Sequence, residues 1–379
     1  MKTILIIGGY GNFGSYIAHK LAGDAKIRLI IAGRSLLRAQ AFCAQLKAIN
    51  TPLAAQLDIN HNIAPALQHL RPDLVIHTSG PFQRQSYAVA QACIAHGCHY
   101  IDLADARSFV ANIDTLDAAA RAQHVAVISG ASSVPCLSGA VLDYFAPRFA
   151  ELREVDYGLS IAAQPSPGLA TVEASLSYAG KPFLRLTVLA QREAYGWQDL
   201  HSHTFPEIGQ RWLAACDVPD LDLKLFPTRY PALRSMRFSA GTEQPLQQLG
   251  LWALSWLVRW GVISSLQPYA RHLLHWRDKL SAQGSSKSGF YVTLKGVDAA
   301  GNYKTERFTL IARNRHGPLI PCQPAIILAL RLARNEALAA GARPCLGLIT
   351  LADYLSALKE LDITAYDNAQ PINAANLST

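Results

Sequence analysis

Apolar residues near the start of the chain fall in short unbroken runs that alternate with helical patterns. The first run, residues 4–7, is followed by a glycine-rich turn and a helical pattern over 16–22. Later apolar runs cover 27–32, 53–57, 74–78, 99–103 and 125–129, with helical patterns over 63–70, 85–96 and 113–123. Continuous apolar strands alternating with helices are typical of a parallel sheet covered on both faces. The pattern predicts an α/β fold, a doubly wound parallel sheet of the Rossmann type, over residues 1–133.

Beyond residue 133 the pattern predicts a second α+β domain, residues 134–320, built on a largely antiparallel sheet. Strand patterns cover 154–161, 183–191, 192–197, 290–296 and 303–311. The last two are joined by the turn 298–302 and predict a hairpin. Residues 281–289, rich in Ser and Gly, predict a flexible loop. Terminal helices are predicted over 324–340 and 350–361, within a segment 321–366, and the polar tail 367–379 is expected to fray.

Gly9, Gly11 and Gly14 have the G-x-G-x-x-G spacing, directly after the first strand and at the start of the first helix. The first glycine allows a tight turn, the second lets the backbone approach a pyrophosphate, and the third lets helix and strand pack closely. The helix N-terminus offers unpaired N–H groups and a positive dipole end to phosphates. The motif in this context predicts a dinucleotide site.

The end of the second strand carries no acid where an NAD site places one for the ribose 2′-hydroxyl. Arg34 offers a planar fork for a 2′-phosphate, Ser35 a hydroxyl, and Arg38 a second charge. Alternatively, Arg34 is a solvated arginine and Ser35 caps the next helix, and Ser35 can do both. The pattern favours NADP(H) over NAD(H). Asp58 follows the third strand, where the adenine edge is usually held.

Composition limits the class of protein. Of 379 residues, 50% are hydrophobic and 16% charged, which is a globular composition. The net charge of +8 suits either solubility or an anionic cofactor or surface. There is no nucleic-acid motif, and the seven cysteines lack a C-x-x-C pair, so we expect free thiols, no zinc and a reducing compartment. The start of the chain has no signal-peptide pattern, so we expect a cytoplasmic protein.

Five motifs in this order resemble the saccharopine dehydrogenase-like oxidoreductases: Gly8 to Gly14, Ala32-Gly33-Arg34, Ser79-Gly80-Pro81-Phe82, Tyr100 to Leu103, and Gly130 to Pro135. The resemblance is strong over residues 1 to about 145 and looser through 241–243 to 341–345. It implies an NADP(H)-binding first domain, a second domain that closes over the nicotinamide, and terminal helices that pack back on the first domain. It implies that Gly9, Gly11, Asn12 and Phe13 line the pyrophosphate, Arg34 and Ser35 the 2′-phosphate, and Ser79 and Gly80 the nicotinamide. The family covers several chemistries, so it indicates a cofactor better than a substrate.

Three residues are candidates for catalysis. Asp102 and Asp105 follow the fifth strand, at the ligand edge of the sheet, and could orient a substrate amine, or they merely cap a loop. Cys136 follows Pro135 at a helix start, which lowers a thiol pKa, or it is a small packed residue. His201 and His203 form a pair without a third ligand, so no metal is predicted. The catalytic residues stay unassigned.

Trp252, Trp256 and Trp260 recur at i, i+4 and i+8 and share one helical face. The apolar run is shorter than the ~20 residues that cross a bilayer. We expect this face to lie in the second domain's core or at a homodimer interface. The alternative is a peripheral membrane contact or an apolar substrate tunnel, since basic residues follow closely.

The sequence therefore predicts an NADP(H)-dependent oxidoreductase. It would transfer hydride to or from a C=N, C=O or C=C bond of a small or lipid-like molecule. The alternative is an inactive NADP-binding sensor or scaffold.

Overall fold

The computed structural model describes residues 1–61, 63–187, 191–218, 228–281 and 284–377, without the side chain of residue 376. Contacts divide the chain into two units. The first unit combines Met1–Cys136 with Leu319–Leu348, and the second combines Leu137–Pro318 with Ile349–Thr379. The sequence-based boundaries lie after residues 133 and 320. After residue 348 the chain leaves the first unit again, and the residues from 349 onward belong to the second unit.

The first unit is built on a seven-stranded sheet in which every pair is parallel. Its strands are β1 Lys2–Ile7, β2 Ile27–Gly33, β3 Leu53–Gln56, β4 Leu74–His77, β5 His99–Asp102, β6 Ala126–Ser129 and, from far along the chain, β15 Gly341–Pro344. Their order is β15-β6-β5-β4-β1-β2-β3. The interior strand β1, which lies beside the central strand β4, is fully apolar at its buried end, where residues 4–7 are at most 1% exposed. The predicted doubly wound parallel sheet is confirmed, with β15 as an additional strand.

The helices of the first unit are α1 Asn12–Leu21, α2 Leu36–Gln45, α3 Ile63–Leu70, α4 Ala88–Ala95, α5 Arg107–Ala111, α6 Asp117–Ala122 and α11 Gln323–Ala333. Ser35 caps α2 by accepting a hydrogen bond from the Arg38 backbone. The helix predicted over 113–123 is a 3-10 turn, Ile113–Leu116, that leads into the short α6. α11 packs against α1 and β1, where the Gln323 amide donates to the Tyr16 hydroxyl at 3.2 Å.

The second unit is built on an eight-stranded mixed sheet in the order β10-β11-β12-β7-β13-β14-β16-β17. Its strands are β7 Glu151–Ile161, β10 His201–Phe205, β11 Gly209–Ala215, β12 Ser235–Thr242, β13 Ser288–Val297, β14 Tyr303–Ala312, β16 Ile363–Asp367 and β17 Gln370–Ile372. The pair β7–β12 is parallel and the other pairs are antiparallel. β8 Pro182–Leu186 and β9 Gln191–Tyr195 form a separate antiparallel pair. The helices are α7 Ser138–Phe145, α8 Leu169–Ser177, α9 Pro245–Arg259, α10 Ala270–Leu280 and α12 Leu351–Leu358. A largely antiparallel second sheet is confirmed.

Two local predictions for the second unit have clear outcomes. The hairpin is confirmed, since β13 and β14 pair along their whole lengths. The frayed tail is wrong, because β17 pairs with β16 and a 3-10 turn, Ala374–Leu377, follows it. Parts of the predicted strand 183–191 and loop 281–289, namely 188–190 and 282–283, lie outside the described residues.

Candidate cofactor site

The glycine-rich loop connects β1 to α1 and has no room for side chains at two positions. Gly8 has φ +79°, which favours glycine, and a Cβ there would lie 2.6 Å from the Ser79 Oγ. A Cβ at Gly14 would lie 2.3 Å from the Gly8 carbonyl oxygen. Gly14 therefore allows the close packing of helix on strand. The tight turn expected at Gly9 is made by Gly8, whose carbonyl accepts the Gly11 N–H at 2.8 Å.

Gly11 and the first turn of α1 form the surface of the loop. Gly11 and Asn12 are exposed, and Phe13 is half-buried. Gly11 is the N-cap, and no described side chain caps this helix end. The first N–H groups of a helix have no partner within it, so they are available to a phosphate. A Cβ at Gly11 would have one neighbour within 4 Å, the Gly8 carbonyl oxygen at 3.1 Å, so the space beside this residue is open.

At the end of β2, four side chains form a compact polar and aromatic group that we call the Arg34 cluster: Tyr10, Arg34, Ser35 and Arg38. The Ser35 backbone N–H donates to the Tyr10 hydroxyl at 3.0 Å. The Arg38 guanidinium lies 4.8 Å from the centroid of the Tyr10 ring. Arg34 and Arg38 are exposed. Two guanidinium groups and a hydroxyl suit the 2′-phosphate of NADP, with geometry that Arg provides as a planar fork.

Asp58 follows β3 and lies close enough to Arg34 for their charges to interact. Its carboxylate accepts a hydrogen bond from the Asn60 backbone at 3.0 Å and lies 3.2 Å from His61 Nδ1. The Asn60 hydrogen bond, helped by the charges of His61 and Arg34, lowers the pKa of Asp58. Asp58 is therefore ionised, and its hydrogen bond to Asn60 fixes the loop after β3, close to Arg34.

The turn after β4 lies directly against the glycine loop. The Thr78 hydroxyl donates to the Ile7 carbonyl at 2.9 Å, and Ser79 lies against Gly8. The Gln85 amide donates to the Ser79 carbonyl at 2.7 Å and to the Pro81 carbonyl at 3.1 Å. These bonds fix Ser79 and Gly80 at the carboxyl edge of the sheet, where ligands of this fold bind.

Three buried polar side chains, His77, Tyr100 and Asp102, lie on β4 and β5 next to this edge of the sheet. His77 Nδ1 and the Tyr100 hydroxyl are 3.1 Å apart, and both residues are buried. Burial lowers the pKa of His77 to about 3, so the ring is neutral at physiological pH. Asp102 Oδ1 accepts from the backbones of Ala104 and Gly130, at 2.9 and 2.8 Å, and from the Ser129 hydroxyl at 3.0 Å. Burial raises the pKa of Asp102 to about 6.

The three catalytic candidates have different surroundings. Asp102 is 0% exposed and ties the turns after β5 and β6 together. Asp105 is exposed, and its carboxylate accepts from the Gln83 amide at 3.1 Å. Cys136 is 2% exposed, and burial beside Cys345 raises the pKa of its thiol well above the usual range. The expected lowering of the Cys136 pKa is therefore wrong, because the thiol lies in the interior and not at an open helix end.

Sequence reasoning missed Tyr10, Thr78 and Gln85. Tyr10 stands between two glycines of the motif, and an aromatic residue in that place is a usable signal. Thr78 and Gln85 act through contacts with residues 71 and 6 positions away, which no local pattern reveals. Within the described residues, no three His, Cys, Asp or Glu side chains are grouped to hold a metal. His203 instead stacks on Tyr291, with ring centroids 3.6 Å apart.

Comparison with known proteins agrees with a dinucleotide-binding first unit. Residues 4–128 match the family model described as the saccharopine dehydrogenase NADP binding domain. A comparison with curated protein sequences finds no match. Among solved structures, saccharopine dehydrogenase (L-Glu forming) from Saccharomyces cerevisiae matches 97% of this chain and 100% of its own, at 12% identity and a TM-score of 0.67. At that identity the likeness shows the fold.

Two further structures match less well. An amine dehydrogenase from Mycobacterium smegmatis covers 91% of this chain and 94% of its own, with 11% identity and a TM-score of 0.46. A biliverdin reductase from Synechocystis, in complex with biliverdin and NADP+, covers 94% of this chain and 96% of its own, with 12% identity and a TM-score of 0.41. The family match and the fold together confirm the resemblance. In residues 4–128 this chain is similar to the NADP binding domain of saccharopine dehydrogenase.

Proposed function

We propose that this protein is an NADP(H)-dependent oxidoreductase that acts on a C=N, C=O or C=C bond of a small or lipid-like molecule. The observation that carries the proposal is the Arg34 cluster beside the glycine loop. It combines two exposed guanidinium groups and a hydroxyl at the end of β2, where an NAD site would hold an acid. When bound, the nicotinamide supplies the hydride chemistry.

In this proposal the residues of the chain bind the cofactor and orient it. Gly11 and the first turn of α1 would hold the pyrophosphate, and the Arg34 cluster the 2′-phosphate, with Asp58 beside it. Ser79 and Gly80, fixed by Gln85, would face the nicotinamide. Buried His77 is neutral and Asp102 holds two turns in place, so both would support the site without touching the substrate.

Asp105 is the candidate that we assign to the substrate. Asp105 is an exposed residue just past β5, at the carboxyl edge of the sheet; its carboxylate accepts a hydrogen bond from Gln83, and desolvation raises its pKa. A carboxylate in that place can hold an amine or accept a proton from one. Asp102 and Cys136 are buried and do not present a group to solvent.

The alternative function is an NADP-binding sensor or scaffold without catalysis. It is favoured by the burial of two of the three candidate catalytic groups, Asp102 and Cys136. The fold implies a small-molecule ligand. A homodimer and a peripheral membrane contact are further proposals for this chain, and the exposed surface of α9 and α10 bears on both.

The test has two stages. Titration with NADPH and NADH should show a clear preference for NADPH, and a screen of amine/keto-acid pairs, carbonyl compounds and unsaturated acyl compounds should show NADPH oxidation with one class. Asp105→Asn should then lower kcat/KM by about ten- to a hundredfold without changing NADPH affinity. Asp114→Asn, another exposed acid of the first unit, is the matched control.

Each outcome decides between the two functions. Tight NADPH binding without oxidation across the screen would support the sensor. Equal activity of the Asp105 and Asp114 variants would remove Asp105 from the site and leave the oxidoreductase proposal standing.

A further inference from the structure

Exposed apolar side chains are concentrated on one part of the second unit, formed by α9, α10 and the segment between them. Of the fifteen large hydrophobic residues that are exposed among the described residues, seven lie between positions 246 and 280. They are Leu246, Leu249, Trp260, Val262, Tyr269, Trp276 and Leu280, and we call them the α9–α10 surface. Singly scattered apolar residues are ordinary, but such a concentration marks an interaction site.

The first half of α9 exposes apolar side chains and buries a polar one. Gln248 and Ser255 are 0% exposed, whereas Leu246 and Leu249 are 69% and 40% exposed. The side-chain oxygen Oε1 of Gln248 accepts the Thr242 N–H at 3.0 Å, and the Ser255 hydroxyl donates to the Trp252 carbonyl at 2.7 Å. Val258 is the apolar residue of α9 that is buried with them. Leu246 and Leu249 therefore face away from the core of the second unit.

The expected burial of the tryptophan stripe is therefore only partial. Trp252 and Trp256 are half-buried, and Trp256 lies 5.3 Å from Trp260, ring centroid to ring centroid. Trp260 is 68% exposed. Exposure of the tryptophans therefore increases towards the end of α9. Location in the core fits Trp252 and Trp256 but does not fit Trp260.

α9 and α10 are joined at one end. The Gln247 amide donates to the Arg277 carbonyl at 3.2 Å and to the Ser281 hydroxyl at 3.0 Å, which joins the start of α9 to the end of α10. Leu246 and Leu249 lie in the first turns of α9, and Trp276 and Leu280 lie in the last turns of α10. Trp260 and Val262 follow the far end of α9, about 22 Å from its start along fifteen helical residues, and Tyr269 directly precedes α10.

The charges around this surface are predominantly basic. Residues 244–281 contain four arginines and lysines, Arg259, Arg271, Arg277 and Lys279, and one acid, Asp278. Asp278 is paired with Arg277 and the Ser166 hydroxyl, at 3.1 and 2.9 Å. The Lys279 ammonium lies 5.5 Å from the Trp276 ring centroid, and His272 shares their helical face. Indoles beside lysine and arginine suit the boundary between lipid and water.

We propose that the α9–α10 surface docks the protein onto an anionic lipid bilayer as a peripheral contact. No described helix is long and apolar enough to cross a membrane, and α9 has fifteen residues. The basic excess favours the bilayer over a second copy of the chain, because a two-fold interface would bring the same cations against each other. Partly exposed tryptophans and flanking cations are what an interfacial helix requires.

The test compares vesicle binding by matched variants of the full chain. The wild type should co-sediment with phosphatidylcholine vesicles containing 30% phosphatidylserine, and weakly with phosphatidylcholine alone. Trp260→Ser with Trp276→Ser should reduce binding at least about tenfold. Ile49→Ser with Tyr303→Ser is the control and should bind like wild type, since those side chains are 62% and 64% exposed, against 68% and 63% for the tryptophans.

The electrostatic part is tested separately. Arg271→Glu with Lys279→Glu should remove the preference for phosphatidylserine, with a loss of about fivefold or more for each residue, and added salt should mimic it. Quenching of wild-type tryptophan fluorescence by brominated lipids gives a readout that needs no variant. NADPH affinity should be the same in all variants.

Three results would overturn the proposal. They are no binding to phosphatidylserine vesicles, an equal loss in the Ile49/Tyr303 control, or a wild-type dimer that becomes a monomer when Trp260 and Trp276 are replaced. The last would assign the surface to a second copy of the chain.

Discussion

Tyr10 is a single side chain on which the whole Arg34 cluster depends. A Cβ at Gly33 would lie 2.5 Å from its hydroxyl oxygen, so Gly33 leaves room for the ring. The hydroxyl accepts the Ser35 N–H, and the ring lies beneath Arg38. Because Ser35 also caps α2, the start of that helix, the aromatic ring and Arg38 are held as one group, with Arg34 directly before Ser35 in the chain. If this cluster holds a 2′-phosphate, as we propose, its shape is set by side-chain contacts as well as by the backbone.

Arg34→Ala should weaken NADPH binding by about ten- to a hundredfold and leave NADH binding nearly unchanged. Only NADPH carries the 2′-phosphate, and a charge-assisted hydrogen bond contributes roughly 1.5–3 kcal/mol. Fluorescence titration with both cofactors measures the difference. Arg28→Ala serves as the control, because Arg28 lies near the start of β2, whereas Arg34 directly follows its end. Equal weakening of both cofactors would contradict the assignment.

His77 and Asp102 should give opposite pH dependences of stability. The pKa of Asp102 rises from 3.8 to about 6 on folding, so its contribution favours the folded state at low pH and is lost as the pH rises through about 4 to 6. The pKa of His77 falls from 6.5 to about 3, so its contribution is present above 6.5 and is lost as the pH falls. Between pH 4 and 6 the two effects offset each other in the wild type.

Replacing either group should reveal the pH dependence of stability that the other group causes. Relative to wild type, Asp102→Asn should make the free energy of unfolding increase with pH between 4 and 6, by about 1 kcal/mol per pH unit. His77→Gln should make it decrease with pH by a similar amount. Urea unfolding of the three proteins at pH 4, 5 and 6 measures the slopes. Parallel slopes for both variants would show that the two groups do not titrate as their burial requires.

At the scale of elements, we expect different glycines of the loop from β1 to α1 to affect stability and cofactor binding. Gly14 lies where helix and strand backbones touch, whereas Gly11 lies on the exposed surface. A Cβ at Gly11 would meet its nearest atom, the Gly8 carbonyl oxygen, at 3.1 Å, a distance that a small shift relieves. One motif therefore contains a position that the fold requires, Gly14, and an open position, Gly11, that we propose serves the ligand.

Gly11→Val should abolish NADPH binding while the free energy of unfolding stays near the wild-type value, because its side chain occupies the space of the pyrophosphate. Gly14→Val should instead lower stability, since its Cβ would overlap the Gly8 carbonyl oxygen, 2.3 Å away. Thermal melts and cofactor titration on both variants make the comparison. Normal binding by Gly11→Val would mean that the loop holds no dinucleotide.

These elements also show what the sequence could and could not predict. The runs of apolar residues specify the strands, since buried parallel strands need no alternation, and the glycine spacing specifies the loop. The contact of Tyr10 with Ser35 and the burial of Cys136 depend on packing between segments distant in the chain. The four residues of β15 carry too short a pattern to be recognised, and their pairing with β6 is settled by tertiary contacts.

At the scale of the whole molecule, the first unit is completed by residues far from its glycine loop. β15 pairs with β6 from Gly341 to Pro344, and the Ala342 N–H donates to the Asp117 carboxylate at 2.9 Å. α11 packs on α1 and β1. The second unit is thus an insertion in the chain of the first, and is itself completed by residues from 349 onward.

A chain that ends after residue 318 should lose NADPH binding, because it lacks both α11 and β15. A chain that ends after residue 348 contains all of the first unit and should still bind NADPH, although it lacks the last strands of the second. Fluorescence titration of the two truncated proteins measures the contrast. Undiminished binding by the shorter chain would show that α11 and β15 are dispensable.

The position of β15 also affects how the protein is made. While the ribosome synthesises the roughly two hundred residues that separate β6 from β15, the edge of β6 has no partner, and α1 lacks α11. At about 5–20 residues per second this interval lasts on the order of 10–40 s. The nascent N-terminal segment therefore presents an open, apolar sheet edge throughout this interval, and we expect it to be the segment that a chaperone shields.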